Sequence, residues 1–299
     1  MQGKKFEGIL PALVTPLKED NVTVNTATAR QLVELFLDQG ANGFYILGGT
    51  GEGLVMDKKQ RQIMAETVVD QVKGRKPVIN HIAAVNINDA CDLARHAEQI
   101  GCDAIAAIPP VFFKYRDNDI YNYYKRLADS VNIPVVIYYH PSAQGAMSAK
   151  LISRIFTIDN VTGVKWSSND FFELMKLKDM TKGEMNIICG PDELLVSGLA
   201  AGADAGIGST YNAMLPEYVK LYNLFREGKT AEALQMQIKI NRVLSVMIGY
   251  GGVIPSAKAA LTLMGYDVGY ATFPFEAYQG ERMEQFSQDM KAAGWPFNK

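Results

Sequence analysis

Cysteine is scarce in this 299-residue chain: only Cys91, Cys102 and Cys189, an odd number at wide spacing. That argues against a disulfide framework and for a reducing compartment, with the cytoplasm as the default. Histidine is equally rare. His81, His96 and His140 show neither His-x-x-x-His nor His-Glu-x-x-His spacing, so no metal site is expected and each reads as structural or superficial. No Gly-x-Gly-x-x-Gly follows the first apolar run, and no Gly-x-Ser-x-Gly elbow occurs. Dinucleotide binding and serine-hydrolase chemistry are therefore not indicated, and no cofactor is expected. Charge of one sign is never concentrated, and the formal net charge is -2; neither nucleic acid nor an anionic membrane is an expected partner. No apolar stretch approaches a membrane span, and the opening MQGKKFEGIL does not read as a signal peptide.

What is present is an alternation. Eight short apolar runs lie at 8–16, 43–49, 77–84, 104–110, 133–139, 161–166, 185–190 and 205–210. They are apolar nearly throughout, as parallel strands covered on both faces are. Amphipathic segments separate them: Leu32, Leu35 and Phe36 share one stripe, and Ala90, Leu93, Ala94 and Ala97 another. Residues 171–180 continue the helical pattern. Eight strand–helix units predict an α/β fold, the (β/α)8 TIM barrel, over an open doubly wound sheet. Three helical segments at 215–229, 230–249 and 275–294 have no strands between them. They predict a barrel over 1–228 and a C-terminal helical extension over 229–299, packed together as one structural unit.

In such a barrel, chemistry sits at the C-terminal ends of the strands. The second run ends in Gly48-Gly49-Thr50-Gly51-Glu52-Gly53. Glycines let backbone N–H groups approach an anion, and the threonine adds a hydroxyl donor; a tight turn requiring positive φ is the plain alternative. The fifth run ends in Tyr138-Tyr139-His140-Pro141, where a tyrosine can move a proton or simply pack in the core. The sixth ends in Gly163-Val164-Lys165-Trp166. Burial disfavours the ammonium form of a lysine, and a neutral amine can form an imine whose protonated form is an electron sink for C–C cleavage; a rim lysine facing solvent is the alternative. Asp192 and Glu193 follow the seventh run, and Ser209 the eighth. They suit hydrogen bonding to a polyol or, for Asp192 and Glu193, the start of a helix.

Taken together, these strand ends resemble the N-acetylneuraminate lyase and dihydrodipicolinate synthase family of class I aldolases. The resemblance rests on Gly48-Gly49-Thr50-Gly51-Glu52, Pro109-Pro110, Tyr138 with Pro141, and Gly163-Val164-Lys165, in order over nearly the whole chain. Gly190-Pro191-Asp192-Glu193 and Ile207-Gly208-Ser209-Thr210-Tyr211-Asn212 resemble the sialate lyase branch. Where the synthase branch has an arginine two residues past the proline, this chain has Ala143.

The resemblance implies a reversible cleavage of N-acetylneuraminate to N-acetylmannosamine and pyruvate. Alternatives are another pyruvate-dependent aldolase, a 4-hydroxy-tetrahydrodipicolinate synthase-like enzyme, or a sugar-acid-binding barrel without turnover. Lys165 would form a Schiff base with C2. Tyr138 would move the proton between the C4 hydroxyl and the substrate carboxylate, which Thr50 and the backbone around Gly49 and Gly51 would hold. Ser167, Gly190, Asp192, Glu193 and Ser209 would bind the glycerol-like tail and hydroxyls. A homotetramer is also implied, with Phe112, Phe113 and Tyr115 as candidate interface anchors. Three departures stand out. Gly49 replaces the usual Ser or Thr, Val111-Phe112-Phe113 stands where relatives often carry tyrosine, and Tyr139 replaces a common asparagine. Spacing from Pro134 and Pro141 favours Tyr138 over Tyr139, with one residue fewer between Gly145 and Lys165.

Overall fold

A computed structural model describes residues 6–145 and 147–296. Eight strands form one parallel sheet: β1 Gly8–Pro11, β2 Phe44–Ile46, β3 Val78–His81, β4 Ala104–Ala107, β5 Val135–Tyr139, β6 Val161–Trp166, β7 Asn186–Cys189 and β8 Ala205–Gly208. Their order is β1-β8-β7-β6-β5-β4-β3-β2. The two ends of that order meet: Ala12 bridges Tyr45 in parallel, and Leu13 N donates to Tyr45 O at 2.9 Å. The sheet is thus the closed wall of a (β/α)8 barrel, as the eight apolar runs predict. Each strand starts inside its apolar run, and seven of the eight are buried at every residue. Parallel strands with helices outside and packed side chains inside meet no water on either face.

The register between β5 and β6 contains one irregularity. Val135 pairs with Val161, but Val136 pairs with Gly163, so Thr162 is an extra residue in β6. Beyond this bulge Tyr138 lies opposite Lys165, and Tyr139 opposite Trp166.

The helices are α1 Thr26–Asp38, α2 Lys58–Val72, α3 Ile87–Gln99, α4 Asp117–Ala128, α5 Pro141–Gln144, α6 Ala149–Ile155, α7 Phe171–Met180, α8 Leu195–Ala200 and α9 Tyr211–Arg226. Several begin on a side-chain cap: Asn25 accepts from Thr28 N, Asp57 from Gln60 N, and Asp170 from Glu173 N. These caps satisfy amides that a first turn leaves unpaired. Pro216 kinks α9 at Met214 (φ -143°, ψ 33°), because proline lacks an N–H and crowds the preceding turn.

Beyond the barrel lie α10 Thr230–Gly249, α11 Val253–Leu263 and α12 Gly280–Ala292. The helical segments read from the sequence leave out 253–263, which the structure shows as α11. Pro255 falls in the first turn of α11, where a missing N–H costs nothing. These helices lock onto one another and onto the barrel. Ser256 Oγ donates to Met247 O at 2.7 Å, and Tyr278 Oη to Tyr250 O at 2.6 Å. Trp295 Nε1 donates at 3.0 Å to Ala213 O, beside the α9 kink. Among the described residues no single helix is long and apolar enough to cross a membrane.

Candidate active site

Lys165 and Tyr138 are cross-strand partners, so their side chains leave the sheet on one face. Both are nearly buried, at 6% and 8% exposure. Lys165 Nζ sits 3.9 Å from the centre of the Tyr138 ring and 5.0 Å from that of Tyr45. Among the described residues no carboxylate lies within ion-pair distance of it, so nothing ties the amine into a salt bridge. Tyr139 is on the opposite face, its ring edge-on to Trp166 at 4.8 Å. Period-two alternation along the strand therefore separates the two tyrosines: Tyr138 belongs with the lysine and Tyr139 with the outer packing.

The Tyr138 ring is fixed from three sides. Tyr45, His81 and His140 stand edge-on to it at 6.0, 5.8 and 6.0 Å. His81 is buried and its tautomer follows from its neighbours. Nδ1 faces Leu47 O at 3.1 Å and must carry the proton, while Nε2 accepts from Ile108 N at 3.3 Å. Burial, then Arg61 and Lys165, pushes its pKa down to about 3. His81 is thus a neutral strut between the ends of β2 and β4, in keeping with a structural histidine.

The loop after β2 folds tightly over Leu47. A Cβ on Gly51 would lie 2.7 Å from Leu47 N, one on Gly53 2.0 Å from Leu47 O, and one on Gly48 2.4 Å from the Tyr45 ring. These glycines are required by close approach. None of them has positive φ; the left-handed positions of the loop are Leu47 and Glu52 (φ 59° and 58°). Gly49 is different, because its added Cβ would meet only Tyr138 Oη, at 3.9 Å. The loop therefore passes next to the tyrosine hydroxyl. Within it, Glu52 N donates to Gly49 O and Gly53 N to Gly48 O. Among the described residues the N–H groups of Thr50 and Gly51 have no acceptor within the loop.

Side chains stitch this loop to its neighbours. Thr50 Oγ1 and Ser209 Oγ are 2.6 Å apart, joining the ends of β2 and β8. Thr15 Oγ1 donates to Gly51 O at 2.7 Å. Ser167 and Gly190 are also together, since a Cβ on Gly190 would fall 2.0 Å from Ser167 Oγ.

Asp192 is buried in a 3-10 turn, Asp192–Leu194. Its Oδ2 accepts from both Thr210 N and Thr210 Oγ1, each at 2.7 Å. Its Oδ1 lies where a Cβ on Gly208 would come within 2.1 Å. Burial pushes its pKa up to about 6, against the Thr210 hydrogen bonds that pull it down. Glu193 is half-exposed and acts on Asp192 through space. So Lys165, Tyr138, Gly49, Thr50, Gly51 and Ser209 surround one mouth of the barrel. Ser167 and Gly190 meet beside them, and Asp192 is adjacent through Gly208.

Sequence reasoning missed what supports this turn from outside. Gln237 Nε2 donates to Asp192 O at 3.1 Å, and Asn241 Nδ2 to Glu193 O at 3.0 Å. The signal was legible: two amides four residues apart in α10, beside Ala233, Ile240 and Leu244. Such a pair on an apolar face needs polar partners. Among the described residues no group of three or more His, Cys, Asp and Glu side chains is placed to hold a metal ion.

A closed parallel barrel with these strand-end residues matches one class of enzyme, the carbon–carbon lyases of class I aldolase type, and this chain is one of them. More narrowly, residues 5–293 match the Dihydrodipicolinate synthetase family, and the chain belongs to that family. It is 31% identical to an N-acetylneuraminate lyase of Rhizobium meliloti over 271 residues, 91% of this chain and 90% of the relative. Among solved structures, Proteus mirabilis N-acetylneuraminate lyase superposes with a TM-score of 0.92 at 30% identity, covering 98% of this chain and 100% of that one. A Ruminococcus gnavus sialic acid aldolase does so with a TM-score of 0.92 at 31% identity, over 99% and 100%.

Proposed function

We propose that this enzyme cleaves N-acetylneuraminate reversibly to N-acetylmannosamine and pyruvate. The observation that carries the chemistry is the in-register pairing of Tyr138 with Lys165, facing the loop from Gly48 to Gly53. The amine of Lys165 adds to C2 of the 2-oxo acid, and loss of water gives the protonated imine. Tyr138 takes the C4 hydroxyl proton and relays it to the substrate carboxylate. The C3–C4 bond breaks, and its electrons pass into the imine to leave an enamine. Protonation at C3 and hydrolysis then return the lysine and release pyruvate. Thr50 with the N–H groups around Gly49 and Gly51 holds the carboxylate. Ser167, Gly190, Asp192, Glu193 and Ser209 hold the hydroxylated tail. The lyase names of the relatives favour sialate over other sugar acids.

The direct test is pyruvate release from N-acetylneuraminate by purified protein in the presence of a metal chelator. Release establishes the substrate. Release only from other 4-hydroxy-2-oxo acids moves the enzyme to a different aldolase, and no trapping of Lys165 by pyruvate and borohydride removes the Schiff base altogether.

Two further results are expected at this site. Gly49→Ser places a hydroxyl beside the cradle without strain, since its Cβ meets nothing closer than 3.9 Å. One added hydrogen bond to a charged group, worth at least about 1.5 kcal/mol, should lower the half-saturating pyruvate concentration about tenfold or more. Unchanged half-saturation would mean that the carboxylate binds elsewhere.

The second concerns Asp192, whose folded-state pKa of about 6 is raised above the ordinary 3.8. The folded state then holds its proton where the unfolded state has lost it, so stability from this group falls as pH rises from about 4 to about 6. Asp192→Asn should therefore gain on the order of 2–3 kcal/mol over the parent above pH ~7, and lose that advantage near pH ~4. Sugar-acid affinity should drop at the same time. Thermal melts of both proteins at the two pH values check the stability claim; a difference that does not change with pH contradicts it.

We also assign the enzyme to the cytoplasm, consistent with three free, buried cysteines, and to a homotetramer. Phe112 and Phe113 are 89% and 63% exposed and stand edge to face at 4.9 Å. Light scattering of the purified protein tests the assembly.

A further inference from the structure

Glu52 closes the loop after β2, yet its side chain belongs to the C-terminal extension. Its Oε1 lies 2.7 Å from Lys258 Nζ in α11, and the two side chains are 2% and 1% exposed. Its Oε2 accepts from Thr272 N at 2.5 Å, and Lys258 Nζ donates to Tyr270 O at 2.8 Å. The backbone of Glu52 is meanwhile part of the cradle. It is left-handed (φ 58°, ψ 19°), a conformation that glycine adopts more readily, and its N–H is bonded to Gly49 O at 3.0 Å. A side chain held from outside thus fixes a backbone turn inside.

A buried ion pair is a poor source of stability, because desolvating two charges offsets their attraction. Its geometry is what it supplies. There is also a charge argument. A carboxylate next to Gly51 would repel the carboxylate of an incoming 2-oxo acid, and the Lys258 ammonium cancels it. Burial pulls Lys258 below its usual range, and Glu52 offsets only part of that shift.

We propose that the Glu52–Lys258 pair is a positioning device that keeps the Gly48–Gly53 loop in its carboxylate-binding shape, so that the C-terminal helices set the affinity of the barrel for 2-oxo acids. This rests on the reading of that loop as the carboxylate cradle. Neither side chain touches the reacting atoms.

The test uses the full-length protein, pyruvate as the probe and three variants: Glu52→Gln, Lys258→Met and the double variant, which leaves no unpaired buried charge and guards against misfolding. Pyruvate dependence of borohydride trapping at Lys165 reads the cradle. Half-saturation should rise about tenfold or more in all three, with the maximal trapping rate within about threefold of the parent. Positioning and plain electrostatics differ in sign for Glu52→Gln. Removing a negative charge beside the cradle would tighten pyruvate binding if charge alone mattered, so a lower half-saturation overturns the proposal.

Hydrogen exchange of peptides covering residues 48–53 reads the loop without any ligand. Faster exchange there, with the β6 peptides unchanged, supports the tether, and unchanged exchange overturns it. A parent protein that traps no pyruvate would overturn the assigned chemistry instead, and the exchange result then decides the tether by itself.

Discussion

Lys165→Ala should lower turnover by about 10⁴-fold or more, because the lysine proposed to form the imine is gone. The fold should survive. Lys165 makes no ion pair among the described residues, and its amine rests on the faces of Tyr138 and Tyr45 at 3.9 and 5.0 Å. What is lost is one buried stem and two cation–π contacts, each worth on the order of 1 kcal/mol. No carboxylate is left stranded, which is the usual cause of collapse when a buried lysine is removed. Circular dichroism should therefore match the parent while pyruvate release and borohydride trapping both vanish. A variant that still turns over at near-normal rate would end the Schiff-base assignment, since among the described residues no other lysine is seen over the Tyr138 ring.

The second large effect separates chemistry from binding. Tyr138→Phe removes one oxygen and leaves the ring against Tyr45, His81 and His140. Imine formation with pyruvate should persist, because Lys165 keeps its aromatic neighbour. Cleavage needs the C4 proton to move, and loss of a positioned acid–base group costs about 10² to 10⁴ in rate. The expected signature is therefore normal trapping with depressed cleavage. Tyr139→Phe is the control. Its ring packs on Trp166 at 4.8 Å on the other side of the sheet, so its cleavage rate should be close to the parent's. The reverse pattern would transfer the proton-moving role to Tyr139.

Much of this arrangement is legible in the chain. Eight apolar runs separated by amphipathic segments specify parallel strands, and the residues that close them mark the mouth of the barrel. Lys165 is readable because a buried apolar run rarely carries a lysine near its end, whereas Tyr138 stands out from Tyr139 only through the family resemblance and its spacing from Pro134 and Pro141. Other features depend on contacts between residues far apart in sequence, which local patterning does not encode. The pairing of Glu52 with Lys258 spans the barrel and its extension, although a lone lysine in the apolar segment 253–263 needs a partner by the same logic that applies to Gln237 and Asn241. The role of the glycines after β2 could not be chosen from sequence, since close approach and positive φ both call for glycine. The structure shows close approach at Gly48, Gly51 and Gly53, and puts positive φ on Leu47 and Glu52 instead. Burial of Asp192 was likewise hidden, because Pro-Asp-Glu after a strand reads equally well as an exposed helix start.

The extra residue in β6 acts as a phase shifter. In a strand, which face a side chain occupies is a matter of odd or even count, and inserting one residue inverts everything downstream. Had Val136 paired with Thr162, Tyr138 would stand opposite Val164, and Lys165 would fall beside Tyr139. The bulge at Thr162 inverts the parity of the last residues of β6 relative to β5 and turns Lys165 to the side that Tyr138 already faces. The couple on which the proposed chemistry depends is thus set by arithmetic several residues upstream, where no reacting atom comes near.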